Sequence, residues 1–315
     1  MRKRQKIIFM GTPEFSVPPL KALAAAHDIS LVITQPDRPK GRGRKLSPPP
    51  VKEAALELGI EVFQPKKISG KDEDAILEKL KALEPDFFVV VAYGHKLSRK
   101  MLDIPTIYPI NIHASLLPAY RGSSPIQAAI MNMDKESGVT TMIMDTDLDT
   151  GDMLLKAVTQ LTEDETAQTL HDRLSIMGAE LIIKTLEGIA DNTITPEPQD
   201  HSKATFAPML KKEDGRIDWC MEPEEISAQV RAMTPWPGAF TFINDKRIRV
   251  MKVRCMDIKS DEPPGTVINC TCDEIHVRAG SGAIAILELQ GASGKCLCSE
   301  EYLRGNRLGT GECFL

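Results

Sequence analysis

The stretch Phe87-Phe88-Val89-Val90-Val91-Ala92 limits the fold more than any other part of the chain. A strand with one face in water alternates apolar and polar residues. An unbroken apolar run is expected of a strand covered on both faces, as in a parallel sheet packed between helices. The residues before it fit the same scheme. Ile7-Ile8-Phe9-Met10 is a compact apolar strand ending at Gly11-Thr12-Pro13. Ser16-Val17-Pro18-Pro19 then opens a helix, with prolines in the tolerated first turn. Ile29 to Thr34 is the next strand, and Val51 to Leu58 is helical, closed by Gly59. Val62-Phe63 starts a short strand, and Glu73 to Leu83 carries Ile76, Leu77, Leu80 and Leu83 at helical spacing. Strands alternating with helices in this order predict an open, mostly parallel, Rossmann-like α/β sheet with ligands at the carboxyl ends of its strands. Neither Gly-x-Gly-x-x-Gly nor Walker A spacing follows the first strand, so both nucleotide motifs are discarded.

A chain of 315 residues has room for two ordinary domains. Periodicity breaks after about Ile189, where Pro196, Pro198 and Pro208 punctuate a polar run. Beyond it come a helix near Pro223 to Met233 and short strands at Phe240–Ile243, Ile248–Val253, Gly265–Ile268, Ile275–Ala279 and Ala283–Leu289. Such a series suggests a small β-barrel. The expected division is therefore residues 1–189, a linker over 190–208, and a second domain over 209–315.

With 42% hydrophobic and 26% charged residues and a formal net charge of −5, the chain is not coated in positive potential. Any contact with nucleic acid must be local. Two segments are candidates. Residues 35–50 read as a loop in which Arg38, Lys40, Arg42, Arg44 and Lys45 are interleaved with Gly41 and Gly43. This composition suits a mobile phosphate-holding loop as well as a merely solvated one. Lys246, Arg247, Arg249, Lys252 and Arg254 crowd a strand. Arg247 and Arg249 share a face, and a bulge near Val250–Met251 would bring Lys252 and Arg254 to it, although ordinary solvated strand charge explains the run equally well. The seven cysteines all lie in the last third. Cys270-Thr271-Cys272 and Cys296-Leu297-Cys298 lack the spacing of structural zinc sites, so reduced thiols and no metal are expected. The apolar run Ile7–Met10 is too short for a signal peptide core, and no segment is long enough to span a bilayer, which points to a cytoplasmic protein.

Asn111-Ile112-His113-Ala114-Ser115-Leu116-Leu117-Pro118, continuing through Arg121-Gly122 to Ser123-Ser124-Pro125, carries the chemistry. It reads as a buried strand, a tight loop and a helix opening, with Ser124 as N-cap and Pro125 in the first helical position. Side chains alternate along a strand, so Ile110 and Ile112 point one way while Asn111 and His113 point the other, able to converge on one small polar group. Spacing alone favours a polar strand end with a satisfied histidine.

Asn-x-His-x-Ser-Leu-Leu-Pro followed by Arg-Gly and Ser-Pro-Ile-Gln resembles the signature of formyltransferases that use 10-formyltetrahydrofolate. The segment Asp145-Thr146-Asp147-Leu148-Asp149-Thr150-Gly151-Asp152 is similar to the same family's aspartate loop. The opening Ile8–Phe15, the basic loop, Ala204–Pro208, Lys212–Trp219 and Trp236-Pro237-Gly238-Ala239-Phe240 resemble the methionyl-tRNA formyltransferase family. The resemblance implies transfer of a formyl group to the α-amino group of methionine on initiator methionyl-tRNA. It implies Asn111, His113 and Asp149 as catalytic residues and folate contacts at Ser115, Leu116, Leu117 and Pro118. It also implies a monomer and an OB-like second domain that helps bind tRNA, to which the basic loop and the strand cations Arg247 and Arg249 contribute. In Tyr93-Gly94-His95-Lys96-Leu97-Ser98, His95 and Ser98 depart from the family's usual residues. Formyl transfer to a sugar nucleotide or other small amine is one rival reading; a catalytically silent RNA-binding protein is another. The basic loop and barrel weigh against the first. The intact Asn111, His113 and Asp149 weigh against the second.

Overall fold

Each residue of Phe87–Val91 is buried, because this strand lies inside a seven-stranded sheet. The computed structural model describes residues 4–40, 45–68, 70, 73–271, 273–291 and 294–315. The chain divides into two units: residues 1–125, 137–159 and 171–207 form the first, and 126–136, 160–170 and 208–315 form the second.

In chain order, the elements begin with β1 (Lys6–Gly11), α1 (Val17–Ala26), β2 (Asp28–Ile33), β3 (Arg38–Lys40), β4 (Lys45–Ser47) and α2 (Pro50–Glu57). They continue with β5 (Val62–Phe63), α3 (Glu73–Lys81), β6 (Phe87–Val91), α4 (Arg99–Leu102), β7 (Tyr108–His113) and β8 (Arg121–Gly122). Then come α5 (Pro125–Met131), β9 (Glu136–Ile143), β10 (Met153–Gln160), α6 (Ala167–Ala190) and β11 (Phe206–Ala207). The large sheet has the order β10-β9-β7-β6-β1-β2-β5. From β5 to β7 every pair is parallel, while β9 runs antiparallel to β7. Ile8, Met10, Phe88 and Val90 form one apolar cluster with Ile76, Leu77 and Leu80 of α3. Their neighbours Ile7, Phe9, Phe87 and Val89 are fully buried too, so burial on both faces accounts for the absence of alternation.

The basic segment is more ordered than a loop. Arg38–Lys40 and Lys45–Ser47 pair as an antiparallel hairpin, with Arg38 opposite Ser47 and Lys40 opposite Lys45. Its root is fixed where Asp37 accepts from Lys52 Nζ at 2.8 Å and from Gln64 Nε2 at 2.8 Å. Lys52 and then Gln64 hold the Asp37 carboxyl below its ordinary range. No sequence periodicity announces strands this short between glycines and prolines.

In the second unit, α7 (Pro223–Ala232) precedes β12 (Phe240–Ile243), β13 (Lys246–Met256), β14 (Val267–Cys270), β15 (Ile275–Ala279), β16 (Gly282–Gln290), β17 (Cys296–Cys298) and α8 (Ser299–Gly305). These strands make one antiparallel sheet of order β12-β13-β16-β15-β14, with β17 added on β16. It curls into a half-barrel. Ile226 and Val230 of α7 pack on Ile248, Val250, Ile275, Val277, Ile284 and Ile286 of its inner face. Asn244 and Asp245, both at positive φ, make the tight β12–β13 turn that suits the twist of paired strands. Within β13 the register against β16 slips between Val250 and Lys252. On the near side of the slip Ile248 and Val250 face inward; beyond it Val253 and Cys255 pack inward instead. The slip therefore turns Arg247, Arg249, Lys252 and Arg254 toward one side of the strand.

Gly138 in β9 shows how tightly the first unit closes beneath its functional loop. A Cβ there would strike the Ala157 carbonyl of β10 and the Leu116 side chain. Gly138→Ala is expected to destabilise by about 1–3 kcal/mol, seen as a lower urea midpoint at unchanged m-value.

Candidate active site

The parallel strands β1, β6 and β7 finish at Gly11, Val91 and His113 on one edge of the sheet, the edge where open α/β sheets carry their ligands. Ile110 and Ile112 of β7 are buried in the core, which leaves Asn111 and His113 on the opposite side of the strand. Asn111 is half-buried, and its carboxamide makes no hydrogen bond among the described residues. His113 is 6% exposed. Its Nε2 lies 2.9 Å from the Tyr120 carbonyl oxygen. A carbonyl only accepts, so Nε2 carries a proton and donates it there. Nδ1 faces Asp149 Oδ2 at 3.7 Å, too long for a hydrogen bond and close enough for an ion pair. The structure thus brings together an amide without a partner, an imidazole with one committed nitrogen, and a carboxylate.

Asp149 is held by groups far apart in sequence. Its Oδ2 accepts from the Gly122 N–H at 2.9 Å, and its own backbone sits at φ +52°. Tyr120, whose carbonyl fixes His113, sits at φ +59°. Non-glycine residues in this region cost roughly 1–3 kcal/mol each and persist where their surroundings dictate them. Here the surroundings are residues 197–207. Gln199, 5% exposed, donates Nε2 to the carbonyls of Asp149 at 2.8 Å and Gly151 at 2.7 Å. Its Oε1 accepts Nη2 of the buried Arg121 at 2.7 Å, and Arg121 also donates to His201 Nδ1 at 3.0 Å. Thr205 Oγ1 accepts the Tyr120 N–H at 2.8 Å, and β11 pairs with β8. Gly122, at φ +121°, has no room for a Cβ against the Ala207 carbonyl. Residues 190–207, expected only to connect, lie within the first unit and strap its loops.

The segment Ser115–Pro118 divides. Ser115 donates Oγ to the Ala119 carbonyl at 2.6 Å, and its own carbonyl accepts from Thr140 Oγ1 at 2.7 Å. Leu117 is buried with Met142 and Met153, whereas Leu116 and Pro118 are half-buried. The Leu117–Pro118 peptide is cis. Beside the site, at the end of β6, His95 packs edge-on to Tyr93 with ring centroids 5.3 Å apart. Burial, and then the charge of Arg38, hold His95 below the usual imidazole range. Gln35 ties this strand end to the basic hairpin, donating to the Tyr93 carbonyl at 3.2 Å and accepting from Arg38 Nη2 at 3.0 Å.

Of the cations expected to meet tRNA, Arg38 is exposed. Arg42 and Arg44 lie outside the described residues, as do the side chains of Lys40 and Lys45. Arg247 is stacked 3.8 Å from the centroid of the Phe240 ring. The Arg249 fork is spent internally, on the Pro235 carbonyl at 2.7 Å and Gln290 Oε1 at 3.2 Å. Among the described residues no group of His, Cys, Asp and Glu is arranged to hold a metal ion, and no helix is long and apolar enough to cross a membrane.

Residues 5–186 match the family described as formyl transferase, and residues 209–307 match formyl transferase, C-terminal domain. The methionyl-tRNA formyltransferase of Citrifermentans bemidjiense is 47% identical, covering 97% of this chain and 95% of its own. That of Geobacter metallireducens is 48% identical, covering 97% of each. The crystal structure of the N-formyltransferase from Helicobacter canadensis, in complex with folinic acid and dTDP-3-aminofucose, shares the fold with a TM-score of 0.68 and 19% identity, covering 90% of this chain and 99% of that one. The chain belongs to the methionyl-tRNA formyltransferase family.

Sequence reasoning passed over Gln199 and His201, which sit in a proline-punctuated polar run with no local pattern. Arg121 was visible within the motif but its partner was not. Gln199→Leu would leave the buried Arg121 guanidinium short of an acceptor and release the Asp149 loop. A loss of about 2–3 kcal/mol is expected, read as the shift in urea unfolding free energy against the parent chain.

Proposed function

We propose that this chain transfers the formyl group of 10-formyltetrahydrofolate to the α-amino group of methionine esterified to initiator tRNA, giving N-formylmethionyl-tRNA for translation initiation. The observation that carries this reading is the Asn111 carboxamide, with no hydrogen-bond partner among the described residues. It shares a strand face with His113, whose Nδ1 lies 3.7 Å from Asp149 Oδ2.

An α-amino group with an ordinary pKa near 8 keeps a useful neutral fraction at neutral pH, so no strongly activated nucleophile is needed. Its attack on the formyl carbon puts negative charge on the formyl oxygen and positive charge on nitrogen. Asn111 donates its N–H to the oxygen as that charge grows. His113 spends Nε2–H on Tyr120, which fixes the ring and leaves Nδ1, on the Asp149 side, as the nitrogen available to the reacting groups. From there it donates to the same oxygen or relays the proton from the amine to the departing N10 of the folate. Asp149 orients the imidazole from 3.7 Å. Leu116 and Pro118 contact the folate through their side chains; Ser115 and Leu117 act through the loop shape they fix.

Residues 1–189, with the strap of residues 190–207, serve as the catalytic domain and 209–315 as an OB-like tRNA-binding domain. Arg38, Lys40, Arg42, Arg44 and Lys45 of the basic segment hold the tRNA backbone, supported by Arg247, while Arg249 contributes through the Pro235–Gly238 segment it holds. The protein works as a cytoplasmic monomer.

The decisive assay incubates the chain with 10-formyltetrahydrofolate and methionine-charged initiator or elongator tRNA and looks for N-formylmethionine. Its absence with initiator tRNA would sink the reading. Asn111→Ala and His113→Ala should each lower the rate by roughly 10²–10⁴ with smaller effects on folate affinity; near-normal turnover would remove that residue from the chemistry. Neutralising Arg42 and Arg44 together should weaken tRNA binding and flatten its salt dependence, so an unchanged salt slope would count against the hairpin.

A further inference from the structure

The chain has two tryptophans with opposite surroundings. Trp219 is 4% exposed, donating its indole N–H to Thr241 Oγ1 at 3.0 Å. Trp236 is 53% exposed. A lone exposed apolar side chain is ordinary and carries nothing by itself, but the segment presenting Trp236 is unusually well fixed. Prolines at 235 and 237 restrict the backbone on both sides. The Thr234 hydroxyl donates to the Val230 carbonyl at 2.7 Å, and the Gly238 N–H to the Met233 carbonyl at 2.8 Å. Arg249 completes the support, gripping the Pro235 carbonyl at 2.7 Å while Gln290 steadies its other terminal nitrogen. Its guanidinium lies over Gly238, where a Cβ would collide with it. Arg249 therefore holds the backbone on either side of Trp236 rather than reaching into solvent.

Charge selects the class of partner. Lys246 and Arg247 are exposed on β13, the strand from which Arg249 holds this segment, and neither forms an ion pair with a carboxylate among the described residues. Arg247 lies over the Phe240 ring and Arg216 lies 5.8 Å from the centroid of Phe242, so guanidinium planes already stack on aromatic faces here. Farther along β13 the cations meet carboxylates: Arg254 pairs with Glu274 at 2.6 Å, and Lys252 stands opposite Glu288 in the register with β16. An exposed indole on a held backbone, with unanswered cations on the strand that supports it, suits a polyanion with flat, unpaired rings, because every base offers a π-face while the backbone meets the charges.

We infer that Trp236 is a stacking contact for an unpaired base of tRNA and that Arg249 is its positioning residue. This rests on the reading that the chain binds tRNA, and it adds a base contact that the phosphate-binding cations do not supply.

Trp236 is the accessible tryptophan, so intrinsic fluorescence reports on it directly. Titrating the full chain with initiator tRNA should quench the acrylamide-accessible emission and protect the remainder, and Trp236→Phe should abolish that change. Trp236→Phe keeps a stacking ring and should stay within about twofold of parental tRNA affinity. Trp236→Ala should raise the KM for methionyl-tRNA roughly five- to tenfold while the folate KM and kcat stay near parental. Arg249→Lys, which keeps the charge and loses the fork, should move the tRNA KM in the same direction by a smaller factor. Tight tRNA binding with unchanged Trp236 emission would overturn the inference while leaving formyl transfer intact. Trp236→Ala with a parental tRNA KM would also overturn it, as would sedimentation showing that Trp236 drives self-association without tRNA. Failure of the parental chain to bind or formylate charged tRNA would remove the functional reading itself, and this inference with it.

Discussion

The buried Gln199 carboxamide is the contact on which the site depends. Its N–H groups hold the backbone of the aspartate loop at two carbonyls, and its oxygen neutralises the demand of a buried arginine from the motif loop. A guanidinium excluded from water needs acceptors, and strained backbone at Asp149 and Tyr120 needs an external hold. One side chain meets both needs. Asp149 stands beside His113 because the Gly122 N–H and the Gln199 carboxamide hold its side chain and its loop there.

The same economy appears at the hairpin root and in the second unit. Asp37, Lys52 and Gln64 anchor the basic hairpin at its base. Gln35 then links Arg38 to the strand end that carries Tyr93 and His95. In the antiparallel sheet, Arg249 gives up its own fork to hold the Pro235–Gly238 segment, leaving Arg247 and the indole of Trp236 outward. Both cases separate side chains that set geometry from side chains that remain available to a ligand. Charge alone does not separate them, since Arg38, Arg247 and Arg249 carry the same group.

Much of the first unit was legible from the chain. Apolar runs without alternation required strands buried on both faces, and the spacing of Asn111 and His113 required a shared side of β7. Short paired segments were harder. Residues 38–40 and 45–47 contain glycine and proline neighbours and too few residues to establish a period, so they read as loop until their pairing is seen. The bulge in β13 lay between these extremes: the charge pattern changes parity near Val250, and a strand that must keep one apolar face inward has to slip there.

The sequence by itself determined the architecture of the first unit, the family, and the side chains capable of the chemistry, because burial periodicity and a dense local motif are written in consecutive residues. Tertiary structure alone decided which nitrogen of His113 is committed, how Asp149 is held beside it, and which arginines are free. Those outcomes depend on hydrogen bonds between residues such as Arg121 and Gln199, 78 positions apart, and no local pattern encodes a partner at that distance.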